Sequence, residues 1–144
     1  MTKKDIKQII DALNSSRSAE LAAIMQYMGH HYSAEGLEAL GVKDVFRQSA
    51  LDEMRHAEKL AERITYLGGI PTLKINPVKR GGSLKQMLKD DLDLEKKAIK
   101  RYREQIGLAE KLKDYTTRRL LEDILIEEES HADIGGSLLA KDKK

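Results

Sequence analysis

The stretch LDEMRHAE at residues 51–58 contains a glutamate and a histidine three positions apart, Glu53 and His56. On an α-helix, residues three apart project from the same face, about one turn from each other. A carboxylate and an imidazole held in this way can bind one metal ion. The same pair recurs later in the chain as Glu128 and His131. The stretch therefore predicts a helix with a metal-ligating face, and its recurrence predicts a second such helix.

Each Glu-x-x-His pair is preceded by another glutamate at a constant distance. Glu20 lies 33 residues before Glu53, and Glu95 lies 33 residues before Glu128. The two sets are related by a constant offset of 75 positions, which also relates Tyr27 to Tyr102 and Asp52 to Glu127. This pattern is typical of a repeated helical hairpin in which each copy supplies half of a two-metal site.

Composition favours long amphipathic helices. The chain has 144 residues, of which 35% are charged and 4% aromatic, with no Trp and a single Phe. Such a length is expected to form one domain, residues 1–144, and such a composition is more typical of helices than of a sheet sandwich.

Several classes of function are disfavoured by the same composition. The net charge of +2 provides no electrostatic footprint for nucleic acid. The lysines near the two ends, Lys3, Lys4, Lys141, Lys143 and Lys144, are a weak signal for DNA contact. Without cysteine there are no disulfides, thiolate metal sites or iron–sulfur clusters. No apolar stretch is long enough to span a membrane or form a signal peptide, so a cytoplasmic protein is expected.

Apolar periodicity and capping signals predict four helices, at about residues 5–36, 43–67, 83–110 and 114–139. Between the second and third helices, residues 68–82 contain both prolines and four glycines. These fifteen residues can span about 50 Å when extended, whereas a 25-residue helix is about 38 Å long. The loop can therefore travel the length of a bundle. The sequence predicts an all-α four-helix bundle with one long crossover.

The predicted glutamates interrupt apolar stripes, so they should face the bundle interior. An ionised carboxylate in a core costs several kcal/mol unless it is paired or binds a cation. Two divalent cations would offset four carboxylates, and two neutral imidazoles would complete the ligand set. Oxygen-rich ligands with one nitrogen per metal favour iron or manganese. The predicted ligands are Glu20, Glu53, His56, Glu95, Glu128 and His131.

The remaining candidates allow a structural and a functional interpretation. His30 and His31 have no partner glutamates at ligand spacing, and we expect them to be structural. Tyr27 and Tyr102 lie two turns beyond Glu20 and Glu95, where they can hydrogen-bond ligand carboxylates, although for Tyr102 plain packing is an equal alternative.

The sequence resembles the bacterioferritins of the ferritin-like superfamily. The resemblance covers about residues 14–139 and is carried by SAELAAIMQY (18–27), LDEMRHAEKLAERITYLGGIP (51–71), DLDLE (91–95) and LLEDILIEEESH (120–131). It implies a ferroxidase centre in which Glu53 and Glu128 bridge two iron ions. Glu20 with His56, and Glu95 with His131, would be the terminal ligands. It also implies that Tyr27 acts beside the site and that Met54 matches the haem b ligand at the dimer interface, with packing at that interface as the alternative.

Two departures from the family pattern affect these expectations. Bacterioferritins carry a short fifth helix and form a cage of 24 subunits, whereas this sequence is expected to stop after its fourth helix. A shortened relative, similar to the DNA-protecting mini-ferritins with their 12-subunit cage, is therefore an alternative. Gln48 also stands where bacterioferritins often have a cavity-facing histidine, so inward iron transfer is expected to differ from theirs. Asp52, which is kept next to Glu53, is a candidate inner ligand for that transit.

The function expected from the resemblance is oxidation of Fe(II) by dioxygen or hydrogen peroxide, coupled to iron storage or detoxification in a homo-oligomeric cage built from dimers. One alternative is an iron or manganese enzyme that removes peroxide without storage. Another is a helical interaction module whose inward carboxylates are structural. Nucleic acid and membranes are not expected partners.

Overall fold

The computed structural model describes residues 1–140, which form four long helices. They are α1 (Lys3–Ser33), α2 (Lys43–Tyr66), α3 (Leu84–Lys111) and α4 (Tyr115–Leu139), with a short 3₁₀ turn at Leu37–Ala39. The predicted all-α bundle is confirmed. None of the four helices contains an 18-residue window apolar enough to cross a bilayer. Lys141, Lys143 and Lys144, considered above for DNA contact, lie outside the described residues.

Local capping interactions set the helix ends. At the start of α1, Thr2 and Asp5 form both hydrogen bonds of a capping box. Ser83 accepts a hydrogen bond from the backbone N–H of Gln86 at the start of α3, while the Gln86 side chain bonds Asp90 instead of completing the box. After α2, Gly68 adopts a φ of +90°, a conformation that L residues rarely adopt and glycine does readily.

The four helices pack as two hairpins, α1 with α2 and α3 with α4, and further contacts join α1 to α3 and α2 to α4. α1 and α3 run antiparallel, since Ser16 near the start of α1 bonds Gln105 near the end of α3, whereas Gln26 further along α1 bonds Asp91 near the start of α3. α2 and α3 therefore run in the same direction, and the chain must return along the whole bundle between them.

The crossover follows α1 closely along this return. Asn14 accepts a hydrogen bond from the backbone N–H of Thr72 at 2.8 Å. Further along, the N–H of Asn76 bonds the carbonyl of Ser18 at 3.2 Å, and the N–H of Lys79 bonds the side chain of Gln26 at 3.0 Å. These bonds satisfy backbone groups that have no helix of their own. The long crossover predicted from residues 68–82 is thus held in a defined path.

Two apolar clusters fill the bundle, one toward each end. The first includes Ile9, Leu13, Leu60, Ile64, Tyr102, Leu121 and Ile124. The second includes Ala23, Tyr27, Val42, Phe46, Met87 and Leu88. A layer of buried polar side chains lies between them, and every helix contributes to it.

Candidate metal centre

The six predicted ligands lie together in this central polar layer. Each has a relative exposure of 8% or less: Glu20, Glu53, His56, Glu95, Glu128 and His131. One glutamate comes from α1 and one from α3, whereas α2 and α4 each supply a Glu-x-x-His pair. The helical spacing places each pair on one inward face.

Two overlapping groups of four ligand atoms can be drawn within the layer. The first joins Glu20, Glu53, His56 and Glu128, and the second joins Glu53, Glu95, Glu128 and His131. Within each group the ligand atoms lie within 4.8 Å of one another. Glu53 and Glu128 belong to both groups, which is the position that bridging ligands require.

Distances around the imidazoles show how tightly the layer is drawn together. His56 Nδ1 lies 3.0 Å from Glu128 Oε1 and 3.4 Å from Glu20 Oε2. His131 Nδ1 lies 3.2 Å from Glu53 Oε1 and 3.7 Å from Glu95 Oε2. The Nδ1 atom of each imidazole, not its Nε2 atom, therefore faces the four predicted ligand glutamates.

One inward-facing atom of each of the six residues has no hydrogen-bond partner. These atoms are Glu20 Oε2, Glu53 Oε1, His56 Nδ1, Glu95 Oε2, Glu128 Oε1 and His131 Nδ1. Buried polar atoms are nearly always satisfied, so six that converge on one interior require an explanation. Two divalent cations would satisfy all six. The four carboxylates and two imidazoles therefore fit a two-metal site in number, chemistry and direction.

A second layer of carboxylates orients the imidazoles. His131 Nε2 lies 2.8 Å from Asp52 Oδ2, and His56 Nε2 lies 3.0 Å from Glu127 Oε2. Arg55 bonds both carboxylates from the surface. A carboxylate on the outer nitrogen sets the tautomer that directs the lone pair of Nδ1 inward. The offset of 75 relates Asp52 to Glu127 in the sequence, but nothing in the pattern identified this role.

The two tyrosines bond the ligand carboxylates across the bundle. Tyr27 of α1 donates to Glu95 of α3, and Tyr102 of α3 donates to Glu20 of α1 at 2.7 Å. Burial and the neighbouring carboxylates raise the pKa of both phenols well above the usual value, so both remain protonated donors. Packing alone does not describe Tyr102, because its hydroxyl also donates a hydrogen bond to Glu20.

The pKa values of the buried glutamates and histidines are shifted, because these ionisable groups lie close together and away from water. Burial and nearby carboxylates raise the pKa of Glu53 and Glu95 well above the usual range. Burial acts in the same direction on Glu128, but contacts led by His56 lower its pKa to about 2. Burial disfavours the charged imidazoles, yet the carboxylates raise the pKa of His56 to about 10 and that of His131 to about 9. These shifts favour protonation of Glu53, Glu95 and the two imidazoles, so a bound cation would compete with those protons.

The two remaining histidines contact groups outside the predicted ligand set, and they differ from each other. His30 is completely buried and its Nδ1 lies 2.9 Å from Asp91 Oδ2, while its Nε2 faces the carbonyl of Lys79. His31 contacts the carbonyl of Lys43 through Nδ1 at 2.7 Å.

Met54 follows Glu53 on α2 and is 52% exposed, so it lies away from the ligand layer. Gln48 donates to Asp52 at 3.3 Å, and Asp52 in turn contacts His131. The haem-ligand role of Met54, the catalytic role of Tyr27 and the metal-ligand roles of the six residues stay predictions at this point.

Comparisons with known proteins identify the family of the chain. The family described as the ferritin-like domain matches residues 10–144. Bacterioferritin from Desulfovibrio desulfuricans is 38% identical over 125 residues, covering 86% of this chain and 70% of the relative. Bacterioferritin from Brucella melitensis is 34% identical over 129 residues, covering 88% and 79%.

Solved structures show the same architecture. A ferritin-like diiron-carboxylate protein from Bacillus anthracis superposes with a TM-score of 0.92 at 32% identity, covering 96% of this chain and 99% of that one. Bacterioferritin from Rhodobacter capsulatus, crystallised with a metal-free dinuclear site and a haem iron, gives a TM-score of 0.89 at 29% identity, covering 94% and 85%.

Proposed function

Because the chain belongs to the ferritin-like domain family, and within it to the bacterioferritins, we propose that its buried ligand layer is a ferroxidase site for Fe(II). The relatives support iron storage and iron oxidation in general terms, and the site residues make the proposal specific. The observation that carries it is the set of six inward ligand atoms left without hydrogen-bond partners.

In this proposal, Glu20 and His56 bind one Fe(II), Glu95 and His131 bind the other, and Glu53 and Glu128 are shared. Asp52 and Glu127 hold the imidazoles in the metal-binding orientation, as their contacts with the Nε2 atoms suggest. Tyr27 and Tyr102 each hold one carboxylate oxygen, so that the other oxygen faces inward.

Fe(II) is the substrate and supplies the electrons. Two Fe(II) ions each lose one electron, and one oxidant accepts both, either as 2Fe²⁺ + O₂ + 2H⁺ → 2Fe³⁺ + H₂O₂ or as 2Fe²⁺ + H₂O₂ + 2H⁺ → 2Fe³⁺ + 2H₂O. The bundle contributes the position of the ions and an interior whose fixed charges need no rearrangement during electron transfer. Manganese would fit the same ligands, but iron is the metal that the relatives support.

We further propose a homo-oligomer built from dimers, of 12 or 24 subunits, in which Met54 binds haem b between two copies. Several apolar side chains of α1, α2 and the crossover are exposed in the single chain, and a partner would cover them: Met25, Met54, Ile70, Leu73 and Ile75. Native mass measurement would determine the assembly. Haem binding would be lost in Met54→Leu, and native mass measurement of the same variant would show whether the dimer persists.

The ferroxidase proposal is tested by Glu53→Ala and His56→Ala. Each removes a ligand, so rapid Fe(II) oxidation should fall at least about 100-fold, beyond the loss typical of outer-layer partners. Stopped-flow absorbance of Fe(III) formation measures the rate, and circular dichroism shows whether the helices persist. Wild-type rates in both folded variants would refute the assignment.

Iron retention separates storage from the alternative function. After aerobic loading, hundreds of iron atoms per assembled protein would support storage, whereas about two per chain would indicate a peroxide-removing enzyme. A purified protein without stoichiometric metal, whose melting temperature is unchanged by chelation, would favour the structural interpretation of the carboxylates.

A further inference from the structure

The two proposed metal positions have matching ligands but unequal charged neighbours. In the first position, with Glu20 and His56, the Nη2 atom of Arg101 lies 3.9 Å from Oε1 of Glu20. The second position has Glu95 and His131, and within residues 1–140 no lysine or arginine nitrogen lies within 4.0 Å of a Glu95 oxygen. A permanent positive charge therefore lies beside the terminal carboxylate of the first position and not beside that of the second.

Arg101 is held in this place by contacts with Ser16 and Tyr102. Its Nε donates to the buried hydroxyl of Ser16 at 3.0 Å, and Ser16 donates to Gln105 at 2.6 Å. Its guanidinium carbon lies 5.0 Å from the ring centroid of Tyr102, over the ring. Because Tyr102 itself donates to Glu20, the guanidinium, the phenol and the ligand carboxylate lie together. The charge cannot turn away from Glu20 without breaking these contacts.

The counterpart of Arg101 in the other hairpin is a neutral amide. The offset of 75 positions relates Arg101 to Gln26, which donates to Asp91 and accepts a hydrogen bond from the backbone of Lys79. Asp91 also contacts His30, with 2.9 Å between Oδ2 and Nδ1. An acid that faces one imidazole adds no net positive charge. The second metal position therefore has no equivalent of the guanidinium.

Other carboxylates do not offset the charge of Arg101. Its side chain is 21% exposed and borders a cleft of about 280 Å³ between α1 and α3, so solvent weakens its field without removing it. Asp90 and Asp93 also border this cleft, and each has a lysine within 4.0 Å. They precede Arg101 by at least eight residues, which is about 12 Å along the helix axis. Among the carboxylates of residues 1–140, Glu20 alone lies within 4.0 Å of the guanidinium.

The outer carboxylates also favour the second position. Asp52 is 15% exposed and lies 2.8 Å from His131, whereas Glu127 is 36% exposed and lies 3.0 Å from His56. A less exposed carboxylate is less screened by water, so it raises the basicity of its imidazole more. The second position therefore has the better-supported imidazole, and its terminal carboxylate, Glu95, has no cation beside it.

We propose that Arg101 sets the order in which the two positions take up divalent metal, by weakening the first position. Its charge repels a dication and competes with it for the carboxylate of Glu20. The second position then fills before the first, so that a form with one Fe(II) accumulates when the metal is limiting. Because the oxidant needs two electrons, oxidation depends on the filling of the weaker position. This inference rests on the proposed ferroxidase function and its two-metal site.

Crystals soaked anaerobically with limiting Co(II) test this order, since anomalous diffraction gives the occupancy of each position. Two cations repel each other in any two-metal site, so a two-step titration alone does not identify the position that fills first. At low occupancy, the ratio of the occupancies equals the ratio of the affinities. In the wild type we expect a ratio of at least about 10 in favour of the second position, a difference of about 1.4 kcal/mol. Equal occupancies, or filling of the first position before the second, would overturn the proposal.

Variants of Arg101 separate its charge from its packing. Arg101→Gln introduces the residue type of the counterpart and should reduce the ratio to below about threefold by tightening the first position. Arg101→Lys keeps the charge but not the shape of the guanidinium, and it should keep the wild-type order. The matched control is Arg103→Gln, on an exposed pair with Glu129, and it should leave the ratio unchanged. An unchanged ratio in Arg101→Gln, or an equal change in Arg101→Gln and Arg101→Lys, would overturn the role of the charge.

Failure of the ordered filling and failure of the ferroxidase function give different results. Ordered Co(II) binding in a protein that does not oxidise Fe(II) would count against the ferroxidase function and leave the role of Arg101 intact. Rapid Fe(II) oxidation in a protein whose two positions take up Co(II) equally would overturn the role of Arg101 alone. If Arg101→Gln does not fold, the wild-type occupancies still decide the order.

Discussion

The two helical hairpins, α1–α2 and α3–α4, repeat the same bonding pattern on opposite sides of the ligand layer. Tyr27 bonds Glu95, and its counterpart Tyr102 bonds Glu20. His131 contacts Asp52, and its counterpart His56 contacts Glu127. Each of these four bonds joins a residue of one hairpin to a residue of the other, so neither hairpin can form its half of the site alone.

The hairpins differ at the next pair of positions along α1 and α3. Gln26 donates to Asp91, whereas its counterpart Arg101 donates to Ser16 at 3.0 Å. His30 also contacts Asp91, whereas its counterpart Gln105 accepts from Ser16 at 2.6 Å. Both places have one central acceptor or hydroxyl with two partners, but the charges are opposite. Asp91, a carboxylate, contacts Gln26 and His30, whereas Ser16, a hydroxyl, contacts the guanidinium of Arg101 and the amide of Gln105.

This difference shows at which positions the two hairpins must carry equivalent residues and at which they need not. Positions that face the proposed metals carry the same residue types in both hairpins, since both metals need the same ligands. Positions one turn further out differ. The Gln26 side chain also accepts a hydrogen bond from the backbone of the crossover, which the guanidinium of its counterpart Arg101 could not do. Consequently Glu20 has a guanidinium 3.9 Å away, whereas the residue in the corresponding place beside Glu95 is the neutral Gln26.

The largest effect on the proposed equivalence of the hairpins should come from removing a terminal ligand, in one hairpin at a time. Glu20→Gln and Glu95→Gln should each reduce anaerobic Co(II) binding from two ions per chain to one, with more than about 100-fold weaker binding at the altered position. Isothermal titration and Co(II) absorbance measure both quantities. Glu53→Gln, the shared ligand, should weaken both positions, and complete loss of both ions from Glu20→Gln would contradict two separable positions.

Removing an outer carboxylate should have the next largest effect on metal affinity. Asp52→Asn should weaken the metal position of His131, and Glu127→Gln that of His56, each by about 10–100-fold. The effect should be greater for Asp52, whose side chain is 15% exposed and 2.8 Å from its imidazole, compared with 36% and 3.0 Å for Glu127. Competition with a chelator measures the affinities. Asp123→Asn, on an exposed pair with Arg119, is the control and should change nothing.

The tyrosines should have the smallest effect on metal affinity, and their removal should instead lower the folding stability. Tyr27→Phe and Tyr102→Phe each leave a buried carboxylate oxygen without its donor, so the free energy of unfolding of the metal-free protein should fall by about 1–3 kcal/mol. Urea denaturation measures this change. Similar values for the two variants would support equivalent hairpins, whereas a loss confined to one of them would refute that equivalence. Tyr66→Phe, 78% exposed, should stay within about 0.5 kcal/mol of the wild type.

Much of the fold followed from local sequence signals. Helix ends lie within about three residues of the predicted ones, because Thr2, Ser83 and Asp114 cap helices through bonds to residues only three positions away. That four glutamates and two histidines converge in one buried layer could be predicted from their spacing, since an α-helix converts separation along the chain into direction in space.

Other features were missed because they depend on neighbours from distant parts of the chain. The spacing of the sequence did not distinguish His30 from His31, yet His30 is completely buried and His31 is only half-buried. The crossover explains this, since the carbonyl of Lys79 and the nearby Gly81 cover the flank that carries His30. The offset of 75 could have identified Gln26 and Arg101 as counterparts, but their partners, Asp91 and Ser16, differ too much to be recognised as a pair.

The sequence by itself determined which residues become helices and which side chains lie on the same helical face, because helix geometry depends only on the order of residues along the chain. The tertiary structure alone decided that each tyrosine serves the opposite hairpin, that Asp52 and Glu127 orient the imidazoles, and that a cleft remains between α1 and α3. Those features depend on distances between separate helices and on the path of the crossover, which arise only when the whole core packs.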